Sequence, residues 1–202
     1  MGVDISLVIE YAYLNPATPE MDDLAFHGFS EVHLGRNSKF FALLAGVRSG
    51  EDPIVSPRGL PKNCSDLVKQ LALIQILDEP PVGFPNLNSL NSEYKVVHSY
   101  YGYPVDVKDK KPEKDHNSIF SREGKEFDKK SNLFLDSNNH SHSWLVLNEL
   151  TEVYAKVAKD LVYDSEHLED TSPYGSEAIL NTMRALEKED EVITRIVFWF
   201  NG

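Results

Sequence analysis

The chain has 202 residues, 41% hydrophobic and 26% charged, enough for one sizeable core and too mixed for a wholly disordered or collagen-like polymer. It carries 32 acidic residues against 20 Lys and Arg, and the net charge of −12 excludes a surface that neutralises nucleic-acid phosphates over its whole extent. The lone Cys64 makes no internal disulfide or Cys-rich zinc knuckle, the start is not signal-like, and no apolar run nears the roughly 20 residues of a membrane span. These features predict one cytosolic domain over 1–202, with no membrane contact and no cofactor.

Val3 to Tyr11 alternates and then turns continuously apolar with β-branched residues, which predicts a strand. Asn37 or Ser38 caps a predicted helix through Phe40, Phe41, Leu43, Leu44 and Val47, closing near Gly50. Asn63 or Ser65 caps a second, with Leu67, Val68, Leu71, Ile74 and Leu77 on one face and Pro80-Pro81 beyond its end. Tyr94–Tyr101 has strand composition and stops at Gly102-Tyr103-Pro104. Residues 106–130 hold eight basic and seven acidic side chains without apolar periodicity, which predicts a flexible charged insert.

His140–Trp144 reads as an Asn-rich loop before a third helix, which starts near Leu147 and runs through Leu150, Val153, Val157 and Leu161. A fourth helix covers Ser176–Lys188. Val192–Phe200, apolar on both faces after Arg195, is a central strand. The fold class is therefore α+β: one sheet containing both terminal strands, packed by about four helices, with a charged loop insert.

Charge is unevenly shared. Leu34–Lys62 nets +3 in an otherwise acidic chain, through Arg36, Lys39, Arg48, Arg58 and Lys62. Guanidinium forks match phosphate oxygens, and Ser56-Pro57-Arg58-Gly59-Leu60-Pro61 is a rigid turn that offers a guanidinium and a glycine amide to an anion. The plain alternative makes Arg36, Arg48 and Arg58 surface cations answering the acidic helices. His140 and His142, two apart, suit metal ligation or a base and its helper, with Asp136 or Asp4 to orient them. Neither a His-Glu-x-x-His pattern nor a nucleophile elbow accompanies them, and the alternative is that these polar side chains cap the third helix while Trp144 packs in the core. Tyr100, Tyr101 and Tyr103 beside Gly102 form either a binding rim or core.

Five blocks stand in order: Met1-Gly2-Val3-Asp4-Ile5-Ser6, Phe41–Arg48, Pro57–Pro61, His140–Leu145 and Arg195–Phe200. Together they resemble a family of small proteins of bacteriophage and bacterial accessory genomes, over both ends and the middle but not residues 78–135. Many members begin Met-Gly-Cys-Asp-Ile-His, and Val3 and Ser6 stand here at those Cys and His places, which weakens any metal or thiol chemistry at the N-terminus. The resemblance implies a setting rather than an activity, since small phage proteins often counter host defence by holding a nucleotide signal or binding a host protein.

The leading expectation is a non-enzymatic protein that sequesters a small anionic, nucleotide-derived immune signal. Arg48 and Arg58 would hold phosphate, Gly59 would give its amide, and His142, Trp144 and Tyr101 would cover the base. One rival is a hydrolase of such an anion using His140 and His142. Another is an inhibitor whose acidic helical surface docks on a host protein. A homo-oligomer through a sheet edge or the aromatic surface is also open.

Overall fold

The first strand runs Asp4–Tyr13, because Ile5, Leu7 and Ile9 alternate with Ser6 and Val8 and both sets find an apolar neighbour. A computed structural model describes residues 4–14, 20–34, 38–47, 52–77, 94–99, 104–108, 126–128, 133–135, 139–163, 174–188 and 191–201. In chain order its elements are β1 (Asp4–Tyr13), a 3-10 turn at Met21–Asp23, β2 (His27–His33), α1 (Ser38–Ala45), α2 (Asp66–Ala72), β3 (Leu73–Leu77), β4 (Tyr94–Ser99), β5 (Pro104–Lys108), β6 (Glu126–Asp128), β7 (Leu133–Leu135), β8 (Asn139–Val146), α3 (Leu147–Tyr163), α4 (Tyr174–Leu186) and β9 (Val192–Asn201). They fall into two compact units, Met1–Leu67 with His140–Gly202, and Val68–Asn139.

In the first unit a four-stranded sheet has the order β2-β1-β9-β8, with β1 antiparallel to both β2 and β9. The two terminal strands are thus its central pair, as expected of an α+β fold. Their register sets two faces. Ile5 opposes Phe200, Leu7 opposes Phe198 and Ile9 opposes Ile196 on one; Ser6 opposes Trp199, Val8 opposes Val197 and Glu10 opposes Arg195 on the other. The first face carries the main core, where these six side chains pack with Phe41 and Leu44 of α1, Leu150, Val153 and Val157 of α3, and Ile179, Leu180 and Met183 of α4. Each fully buried side chain of this size contributes about 1.5–3 kcal/mol of burial. The C-terminal end of α4 is tied to β9, where Thr194 donates both its N–H and its hydroxyl to Glu187 Oε1, each at 2.7 Å.

α1 ends sooner than its sequence implies, at Gly46, whose N–H donates to Ala42 O at 2.6 Å. α2 departs furthest from expectation. It stops at Ala72, and Leu73–Leu77 become β3 instead of continuing the helix. Leu-Ile-Gln-Ile-Leu satisfies both periods, and its two β-branched residues suit a ladder in which β4 and β7 pair on either side. The second unit is this five-stranded antiparallel sheet, in the order β5-β4-β3-β7-β6.

Of the charged window 106–130, residues 106–108 close β5 and 126–128 form β6, while 109–125 and 129–130 lie outside the described residues. The β2 strand and its preceding 3-10 turn had no clear signature, since His27–His33 alternates only weakly. Gly28 is needed there for close approach: a Cβ at this position would lie 2.6 Å from Leu67 Cβ and 3.1 Å from Ser65 Oγ. Among the described residues no helix is long and apolar enough to cross a membrane.

Candidate ligand-binding site

His140–Trp144, expected as a loop, forms the body of β8. Its Ser-His alternation fits an edge strand, and pairing with β9 supplies the ladder that sequence propensity alone does not. Ser141 sits at φ 52, a left-handed conformation that breaks the alternation of faces. The consequence is visible in the rings. His140 stacks on Phe200 at 5.9 Å and His142 on Trp199 at 6.3 Å, and those two partners are successive residues pointing to opposite sides of β9. The histidines therefore do not converge as a base and its helper. Asp136, the carboxylate expected nearby, lies outside the described residues, and Asp4 is on β1.

Four of the six expected ligand contacts do come together: Arg58, Gly59, His142 and Trp144. The turn around Pro57 lies along β8 because Arg58 N–H donates to Ser143 Oγ at 3.1 Å and Gly59 N–H to His142 O at 3.0 Å. Gly59 adopts φ 81, which an L side chain rarely tolerates, so its part in the site is to shape this turn. The amide expected to meet an anion is given to His142 instead. His142 itself is buried against Trp199, and Trp144 carries a guanidinium on its ring where a base was expected. Arg48 and Tyr101 lie outside the described residues.

The Arg58 side chain is the chemical centre of the cluster. Its guanidinium lies 4.2 Å from the centroid of Trp144, and its fork closes on Glu149, with Nη1 to Oε2 at 2.9 Å and Nη2 to Oε1 shorter still. Nη1 also reaches Trp144 O at 3.3 Å. Glu149 is the third residue of α3, and its Oε2 accepts the Val146 N–H at 3.1 Å, half of a capping box. Helix capping, the alternative role considered for the His140–Ser143 side chains, is supplied by Glu149, joined by Asn148 Oδ1 on the Glu149 N–H. The Arg58 and Glu149 side chains remain 30% and 20% exposed, so water reaches the pair.

Beneath it lies a second arginine. Arg195 Nε donates to Glu10 Oε2 at 2.7 Å, with both side chains at most 1% exposed. Nη1 and Nη2 donate to Asn63 Oδ1 and O at 3.1 and 3.2 Å, and Glu10 Oε1 accepts the Ser65 N–H at 2.5 Å. Asn63, one of two candidate caps beside Ser65, which directly precedes α2, turns its amide to Met21 O and Leu24 O, which fastens the segment ahead of β2. The guanidinium stands 3.5 Å over Phe26 and 5.7 Å from the Trp144 centroid. Burial lowers the Arg195 pKa from its ordinary value, opposed by the charge and hydrogen bond of Glu10. The sequence held a cue for this pair: Glu10 and Arg195 are each a charge inside an apolar run of two strands expected to share one sheet. Glu149 had only the cue of an acid in a first helical turn.

Comparison of the chain with protein-family models, with curated proteins and with solved structures finds no match.

Proposed function

We propose that this protein is a non-enzymatic binding protein that takes a small anion at Arg58 in exchange for Glu149. The observation that carries this reading is the bidentate carboxylate held on a guanidinium whose face is fixed by Trp144. Two oxygens of a phosphate present the same fork partner with more charge. A partly exposed ion pair contributes about 0–1 kcal/mol, so exchanging its carboxylate for a ligand costs little. The remaining cluster supports a fixed presentation: Ser143 and His142 hold the turn, and Trp144 holds the guanidinium. The resemblance to small phage-encoded proteins directs the reading to a nucleotide-derived immune signal, sequestered to counter host defence.

Calorimetric titration of the full chain with linear and cyclic nucleotides tests it. Glu149→Gln, which removes the competing charge, is expected to tighten binding by about three- to tenfold. Arg58→Ala is expected to weaken it by about tenfold or more. Ligand released by denaturation after long incubation is expected intact. Weaker binding by Glu149→Gln or recovery of a cleaved product would overturn the proposal.

A further inference from the structure

We infer that the cleft between the ends of β1, β2, α4 and β9 is a second binding site, for a small organic cation of the alkylated ammonium type. Its volume is about 460 Å³, and Tyr11, Tyr13, Phe29, Leu186, Glu191 and Val192 line it. Tyr13 and Phe29 are large apolar side chains left in water, 62% and 51% exposed, whereas the same face of the sheet farther along β1 is sealed by helices. Tyr11 and Tyr13 meet edge to face, with centroids 5.9 Å apart and planes at 83°, so the two rings present differently oriented π systems at one place.

Charge decides the ligand class. Among the described residues that line the cleft, Glu191 is the only one with a formal charge. The last turn of α4 supplies Ala185 and Leu186 to the same wall, and the C-terminal end of a helix carries partial negative charge. Aromatic faces attract cations through their quadrupoles. Three rings, one carboxylate and a helix C-terminus therefore favour a compact positive group with apolar flanks and disfavour an anion. This site is separate from Arg58 in its residues and opposite to it in sign.

Choline and 3,3-dimethylbutan-1-ol have the same shape and differ in charge, so calorimetric titration of the full chain with each tests the inference. Choline is expected to bind at least about tenfold more tightly than the alcohol. Tyr13→Leu and Phe29→Leu, at exposed positions, are each expected to lower choline affinity several-fold without moving the thermal midpoint, and Glu191→Gln to lower it as well. Equal affinity for the two probes, no saturation with choline, or unchanged choline affinity in both aromatic variants would overturn it.

Discussion

Two arginine–carboxylate pairs among the described residues of the first unit use the same chemistry in opposite surroundings. Arg195–Glu10 and Arg58–Glu149 each combine a guanidinium, a carboxylate and an aromatic face. The first is buried on one face of the sheet, under Phe26 and bonded to Asn63 and the Ser65 amide, so either partner left alone is an uncompensated charge in a poor dielectric. The second stays in contact with water, which screens the attraction and stands ready to solvate either group. The buried pair thus fixes the positions of the strands and of the segments that Asn63 fastens, and the exposed pair has a partner it can trade.

The largest test of this contrast is at the buried pair. Glu10→Leu is expected to lower the unfolding free energy by about 3–5 kcal/mol in urea, while Glu10→Leu combined with Arg195→Met recovers much of that loss. A double variant no more stable than the single would break the contrast, because the lone charge would then not be the cause. Next comes the packing beside the pair. Gly28→Ala drives a methyl into Leu67 and Ser65 opposite Glu10, and a loss of about 1–3 kcal/mol is expected from the same measurement.

Effects shrink toward the surface. Gly59→Ala meets no atom within 4 Å, so its cost is that of a left-handed backbone alone, about 1 kcal/mol in thermal or urea unfolding. The smallest effect belongs to Arg58→Ala, expected to change stability by about 1 kcal/mol or less, and less again in high salt. A loss as large as that of Glu10→Leu would place Arg58 with the structural pair and remove the basis for ligand exchange.

Several elements were legible because local pattern and tertiary demand agree. The terminal strands are apolar on both faces and lie at the centre of a sheet, and α3 and α4 show helical spacing over three or more turns with their apolar faces in the core. At Leu73–Leu77 the same residues fit a helix and a strand, and pairing on both sides selected the strand. For the site, the Arg58-Gly59 turn and the His142–Trp144 segment could each be singled out in the sequence by residue type. That they meet depends on β8 lying beside the turn, a contact some 85 residues apart in sequence.

Composition and periodicity by themselves determined an α+β chain whose two ends pair in one sheet, because hydrophobic alternation is a property of neighbouring residues and needs no partner to be read. Which carboxylate meets which guanidinium was decided only by the tertiary structure. Glu10 and Arg195 pair across the β1–β9 register, and Glu149 reaches Arg58 only because α3 starts where the Pro57 turn crosses β8. Charge pairing acts over a few ångströms of space, and separation along the chain does not encode it.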